Sequence, residues 1–309
     1  MRHIENMKNI TSIALRLLGA PALVLVLVSS SGCQTKQPAD AGLSILFQVK
    51  IRTDYDIYRL RTEGAYPDSV VVLPGDAVLP IWSPDRSKFV FSHFRDGHFD
   101  IAIANADGSN RRYLTADTAD DVNIASFFPL GNRVVFSTNR NGNLDLYTVN
   151  VDGTGLAPLV TDSSNEWHPI VTPNGQLVVF SSDRTGIPRL WVLDIVSRKQ
   201  QSVMPPDTMT AEFEPCISPD ARFLAFSLVT RGKDPKNFDI AVYDLVEKTA
   251  RVVIDDPAMD RWPRFSRDGK KILFFSNRTG TNALYVYDRV ARTTRALNTG
   301  TVNSSFGDW

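Results

Sequence analysis

The stretch IWSPDRSKFVFSHFRDGHFDIAIANADGSNRRYLT, residues 81–115, decides the fold. It opens with a short segment that runs into the turn Ser83-Pro84-Asp85. An apolar strand follows at Phe89-Val90-Phe91, then a polar loop holding Arg95 and Gly97, a third strand from Asp100, and an Asp107-Gly108 turn into a fourth. Asp-Gly supplies the positive φ that tight hairpins need. The apolar strand does not alternate with polar residues, so both of its faces must be covered.

The same grammar recurs along the chain. FFPLGNRVVFSTNRNGNLDLYTVNVDG begins at Phe127, VTPNGQLVVFSSDRTGIPRLWVLD at Val171, ISPDARFLAFS at Ile217 and FSRDGKKILFFSNRTGTNALYVYD at Phe265. The serine that ends each apolar strand sets the period: Ser92, Ser137, Ser181, Ser227 and Ser276, at separations of 45, 44, 46 and 49. Four strands repeated at this interval are the mark of propeller blades stacked face to face.

One copy is incomplete. Ile45-Leu46-Phe47-Gln48 matches a second strand, Asp56 to Leu60 a third and Ser69 to Leu73 a fourth, with no first strand before them. Ser305-Phe306-Gly307-Asp308-Trp309, at the other end, aligns with Val78-Leu79-Pro80-Ile81-Trp82. The C-terminus is therefore expected to supply the missing strand, closing the ring and covering an exposed sheet edge. The expected fold class is all-β: a six-bladed β-propeller of four antiparallel strands per blade. Its blades run approximately over 43–75 plus 302–309, 78–118, 123–162, 167–208, 213–256 and 261–300.

Trp82-Ser83-Pro84-Asp85, Ser92 to Gly97 and Asp100-Ile101 resemble the TolB-like, or WD-like, propeller repeat. The resemblance covers roughly residues 43–309 and implies the fold. It leaves the chemistry open, because similar repeats occur in sugar-acid lyases and beside peptidase domains.

Residues 1–32 read as a signal peptide. Arg2, Lys8 and Arg16 precede an apolar run, Leu17 to Val28, too short to span a bilayer. The run ends in Ser29-Ser30-Ser31-Gly32-Cys33, which resembles the lipobox of bacterial lipoproteins, although Ser30 stands where leucine is usual. The resemblance implies cleavage before Cys33 and lipidation of that cysteine; an ordinary secretory signal is the plainer alternative. Residues 33–42 then form the lipidated cysteine and a polar tether with Pro38 and Gly42. Gln34 in place of aspartate resembles the outer-membrane sorting default of Gram-negative lipoproteins. The expected location is the cell envelope, lipid-anchored, on the periplasmic side of the outer membrane or at the cell surface.

The 309 residues carry 34 Lys+Arg and 34 Asp+Glu, so no basic excess points to nucleic acid. Two cysteines exclude a disulfide scaffold, and Cys216, within a first strand, is expected to be buried and inert. There is no G-x-S-x-G, H-E-x-x-H or P-loop, and no cofactor, metal or catalytic residue is expected. Gly153-Thr154-Gly155 reads as a turn. Arg95, Arg140, Arg184 and Arg278 recur before the loop glycine, and Asp56, Asp100, Asp145 and Asp239 at the start of the third strand. Arginine–carboxylate pairs holding each loop are expected.

Departures from the repeat mark the candidate site. Three blades open with Glu166-Trp167-His168-Pro169, Glu212-Phe213-Glu214-Pro215 and Asp260-Arg261-Trp262-Pro263, whereas Ala77 and Val122 occupy the acid's place in two others. These segments should lie at the channel mouth, so Glu166, Trp167, His168, Glu212, Glu214, Asp260, Arg261 and Trp262 are the candidate ligand-binding residues. The alternative is that they cap strands or pair with arginines. His168 beside these acids could instead ligate a divalent metal. The loop Ser227 to Asp239 is longer than its counterparts and is either a partner contact or a solvated insertion.

The function expected is that of a non-catalytic envelope lipoprotein, held to the membrane through Cys33, whose channel mouth binds a protein, peptide or glycan. The alternative is a metal-assisted polysaccharide lyase or hydrolase, and a third possibility is a structural module of a larger assembly.

Overall fold

A computed structural model describes residues 44–297, apart from 52, 62–67, 72–75, 122–123, 206–209 and 231, together with residues 303–309. The signal peptide, Cys33 and the tether lie outside the described residues, as do Val122 and Arg231.

Every described element is a strand, and the strands form six four-stranded antiparallel sheets. Blade two holds β4 (Ala77–Trp82), β5 (Lys88–Arg95), β6 (His98–Asn105) and β7 (Arg112–Tyr113). Blade three holds β8 (Ser126–Phe127), β9 (Arg133–Thr138), β10 (Asp145–Asn150) and β11 (Ala157–Val160). Blade four holds β12 (Glu166–Val171), β13 (Leu177–Ser182), β14 (Arg189–Asp194) and β15 (Gln200–Ser202). Blade five holds β16 (Thr210–Ile217), β17 (Phe223–Thr230), β18 (Asp239–Asp244) and β19 (Thr249–Ile254). Blade six holds β20 (Arg261–Phe265), β21 (Lys271–Ser276), β22 (Ala283–Asp288) and β23 (Thr293–Ala296).

Blade one is the composite. Its order is β24 (Ser304–Asp308), β1 (Ser44–Ile51), β2 (Asp54–Arg61) and β3 (Asp68–Val71). Leu46 pairs with Asp308, Phe47 with Gly307 and Val49 with Ser304. Asp308 Oδ2 accepts from Trp82 N at 3.0 Å, and Trp309 Nε1 donates to Arg264 O at 3.1 Å, so the last residues join three blades. Gly307 is needed here: a Cβ would sit 3.1 Å from the side chains of Leu273 and Leu284 and 3.2 Å from Leu46 O. The six sheets are drawn wholly from residues 44–308, so the closed ring is complete within residues 44–309.

The uninterrupted apolar strands are explained by the seams. Each of six core clusters spans two adjacent blades, as where Val90 and Ile101 meet Val134 and Phe136, or Ile45 and Phe47 meet Leu273 and Leu284. The second strands are enclosed on both sides: Phe89, Val134, Val178, Leu224 and Ile272 are all fully buried. Each such side chain contributes roughly 1.5–3 kcal/mol over an exposed one.

The ring has two faces. First strands start, and second strands end, on what we call the upper face. The turns joining first to second and third to fourth strands make the lower face. At the first of these turns Arg86, Gly131, Gly175, Ala221 and Gly269 share a left-handed backbone, with φ between 56° and 72°. Ser44, opposite Arg61 and close to the Leu46–Asp308 pair, lies at the lower face.

Candidate functional site

The innermost strands of blades two, four, five and six share an irregularity. Their registers shift between Val78 and Ile81, Trp167 and Ile170, Phe213 and Cys216, and Arg261 and Arg264. Each bulge places a non-glycine residue just before proline in the left-handed region: Leu79 (φ 57°), His168 (52°), Glu214 (57°) and Trp262 (61°). A residue preceding proline favours extended backbone, and a side chain at positive φ costs about 1–3 kcal/mol. Four equivalent strained positions around one axis re-aim four side chains, which is what bulges do beside binding sites.

The re-aimed side chains meet across the channel. The rings of His168 and Trp262 stand edge to face with centroids 4.9 Å apart, and Trp262 meets Phe306 at 5.5 Å in the same way. Blades four, six and one are thus joined by an aromatic plug. His168 is buried within it, which pushes its pKa down to about 4 and keeps the imidazole neutral. Glu214 takes the Arg261 guanidinium on Oε1, and its Oε2 accepts from Trp262 N at 3.0 Å and Ser227 Oγ at 2.7 Å.

The acids do not form an open rim. Glu166, Glu212, Glu214 and Asp260 are at most 2% exposed. Three of them sit at joints between blades. Glu166 N donates to Leu144 O at 2.7 Å, Glu212 N to Pro188 O at 2.9 Å and Asp260 N to Phe238 O at 2.9 Å, each reaching the preceding blade. Their carboxylates take arginines: half-buried Arg184 on Glu166 at 3.1 Å, buried Arg189 on Glu212 at 2.8 Å and half-buried Arg278 on Asp260 at 2.9 Å. A carboxylate shut away from water survives only with such partners. Burial, with Asp162 nearby, raises Glu166 to about 7, and burial also raises Asp260.

The expected loop pairs need correcting accordingly. Arg95 does hold Asp100, at 2.6 Å. Arg184 and Arg278 turn instead to the acid that opens their own blade, and Arg140 turns to Asp121 at 3.0 Å. Asp121 N donates to Phe99 O at 2.8 Å, so it is the joint acid of blade three. The acid lies one residue before Val122, and the joint acids are therefore not confined to half of the ring. In blade five Lys233, from the longer loop, takes over with Asp239 at 2.8 Å. The arginines also stack on third-strand aromatics: Arg140 on Tyr147, Arg184 on Trp191 and Arg278 on Tyr285, at 4.6–4.9 Å from the ring centroids. Cys216 is only half-buried, and its Sγ accepts from Phe265 N at 3.4 Å.

Of the eight candidate residues, Trp167, Arg261 and Trp262 keep partial access to solvent. The Arg261 guanidinium lies 4.4 Å over Phe238, whose ring neighbours Phe213. Of the eight candidates, what remains open is therefore aromatic with one stacked arginine. Among the described residues no three of His, Cys, Asp and Glu converge as a metal needs. His168 faces one carboxylate already held by Arg261, with Arg264 also nearby, and this donor set does not fit a cation.

The lower face carries a groove of about 1030 Å³ between blades five and six, which the repeat analysis missed. Phe223 and Tyr287 line it, with the Arg222–Asp244 pair at 3.0 Å. Arg289 lies 4.1 Å over Phe223 and donates to Gly269 O at 2.6 Å. The only sequence sign was the concentration of Arg and Lys in the turns of these two blades.

A family model described as the TolB beta propeller domain matches residues 44–211. The solved structure of TolB from Acinetobacter baumannii superposes with a TM-score of 0.75 at 19% identity, over 89% of this chain and 68% of that one. An oligogalacturonate lyase from Vibrio parahaemolyticus gives 0.57 at 14% identity, over 82% and 73%. A puromycin hydrolase gives 0.58 at 17%, over 84% of this chain and 44% of that one. At these identities the likeness is one of fold.

Proposed function

The chain belongs to the TolB β-propeller domain family, and from that premise we propose that it is an envelope protein whose upper face binds a partner protein, peptide or glycan. The observation that carries this reading is the ring of strained residues, each followed by proline, at Leu79, His168, Glu214 and Trp262. Such strain persists only where the surroundings enforce it, and it collects at binding and catalytic sites. Here it fixes Trp262, with Arg261 stacked beside it and His168 against its ring, at the upper face, where Trp167 also keeps access to solvent. Half-exposed tryptophan and arginine are the side chains that most often anchor an interface. The buried acids Glu166, Glu212 and Asp260 act as the frame that holds these anchors in place. Lipidation of Cys33 belongs to the same reading: it would hold the propeller at the membrane through residues 34–43.

The lyase-like alternative draws on the fold of the Vibrio neighbour, but the groups around His168 give it no support. The test is capture from envelope extract with Trp167→Ala, Arg261→Ala and the double variant. A partner retained by the wild type and lost at least tenfold in the double variant supports the reading; tenfold is about 1.4 kcal/mol, below what one anchor residue contributes. Equal recovery by all four proteins would refute it.

A further inference from the structure

We propose that the lower face of the propeller, with exposed aliphatic side chains on its turn tips among exposed arginines and lysines, is a docking surface for an anionic lipid bilayer.

The turn tips are the first observation. Leu130 is 88% exposed, Val196 87%, Val290 77% and Val246 63%. All four sit in lower-face turns. Three occupy one repeated position, two residues after Asp194, Asp244 and Asp288. In each case the aspartate Oδ1 accepts from the valine N, at 3.0, 2.9 and 2.9 Å, so the turn holds the valine outward. An exposed valine at the same place in three consecutive blades is a patterned apolar surface, not a scatter of single residues.

Charge is the second. Arg198, Lys248 and Arg292 are exposed in the same turns, Arg111 and Arg112 at the matching turn of blade two, and Arg251 within the adjoining strand β19. Arg112 and Arg198 donate to backbone carbonyls, of Val151 and Leu159, and so carry their charge without a carboxylate there to neutralise it. The aspartates of this face are turned into their own turns, as Asp107 is toward Ser109 N at 2.9 Å and Asp268 toward Lys270 N at 3.0 Å. The chain as a whole has equal numbers of acids and bases, and Asp96, Asp117, Asp162, Asp234 and Asp255 stand exposed on the opposite face. The molecule is thus electrostatically two-sided, although its composition is neutral.

The chain's own path is the third. Ser44 enters the ring at the lower face, and residues 34–43 lie between it and Cys33. Ten residues reach at most about 35 Å. A propeller held near a membrane by its N-terminal side therefore presents this face to the lipid. Aliphatic tips among basic side chains match an interface where apolar groups meet acyl chains and cations meet headgroup phosphates. An acidic protein partner would account for the cations but not for the repeated bare valines.

The surface does not require acylation at Cys33. The test uses residues 44–309, so a failed anchor or a failed upper-face partner leaves its outcome unaffected. The probe is co-sedimentation with phosphatidylcholine vesicles, with and without phosphatidylglycerol. The wild type should sediment with the phosphatidylglycerol vesicles and be released by salt. Each basic residue near an anionic surface contributes roughly fivefold in partitioning, so Arg251→Gln should lose about fivefold and the triple variant Arg198→Glu, Arg251→Glu, Arg292→Glu about a hundredfold or more. Val196→Ser with Val290→Ser should weaken binding at high salt as well as low. Lys236→Glu, on the upper face, should bind as the wild type does. No sedimentation with phosphatidylglycerol vesicles at low salt, or equal losses from Lys236→Glu and Arg251→Gln, overturns the proposal. So does capture by polyglutamate without any binding to vesicles.

Discussion

Replacing Phe306 by alanine should open the ring at one known place. Phe306 is 1% exposed, packs edge to face on Trp262 at 5.5 Å and lies under the Arg264 guanidinium at 5.1 Å. Truncating a buried phenylalanine costs about 3–5 kcal/mol, against a typical total stability of about 5–15 kcal/mol. The loss falls on a short strand whose ladder to β1 is already irregular between Phe47 and Val49. Once β24 detaches, Trp82 N loses its Asp308 acceptor and β1 becomes a sheet edge. Urea denaturation gives the free-energy change, and amide exchange locates it. We expect a loss of about 3–5 kcal/mol, with Leu46, Phe47 and Val49 amides exchanging ahead of those in blades three and four. Val290→Ala, at a 77% exposed tip, is the control and should stay within about 0.5 kcal/mol. If Phe306→Ala proved as harmless as that control, or if protection fell evenly around the ring, the closure argument would be wrong.

Other consequences can be measured on the same protein. Glu166 is raised from its ordinary 4.5 to about 7, so the stability it contributes is full below pH 4.5 and is lost as pH rises through 7. The difference is about 3 kcal/mol, and Glu166→Gln should flatten the stability profile between pH 4.5 and 7 in thermal melts. Arg189→Met strands the buried Glu212 carboxylate and should cost about 3–5 kcal/mol, whereas Arg222→Met, at a pair whose arginine is 47% exposed, should cost under about 1 kcal/mol. Ala221 stands at φ 56° where three sibling turns carry glycine, so Ala221→Gly should raise stability by about 1 kcal/mol in denaturant titration.

The architecture was legible because its determinants are local and repeated. The Asp-Gly turns, the unbroken apolar second strands and the serine period each state one blade, and the alignment of Ser305–Trp309 with Val78–Trp82 states the closure. The site was harder to read for a physical reason. An acid in a sequence does not say whether it faces water, and the motif that placed Glu166 and Asp260 at the mouth did not show Arg184 and Arg278 folding back over them. Spacing suggested that those arginines would hold the third-strand aspartates. Blades four and six carry Arg189 and Ala283 where other third strands begin with aspartate, so Arg184 and Arg278 turn to the acid of the first strand. The bulges were written in the sequence as a proline following each of Leu79, His168, Glu214 and Trp262, but proline alone predicts an extended residue before it, not a left-handed one. The lower face escaped attention because its charge asymmetry disappears in a chain-wide count.

The account rests on a molecule with two different working faces, and photo-crosslinking in intact envelopes tests this most directly. A crosslinking residue at Trp167 should yield a discrete protein or glycan adduct, and one at Val196 should yield lipid adducts. The same adducts from both positions, or lipid at Trp167 and protein at Val196, would contradict it.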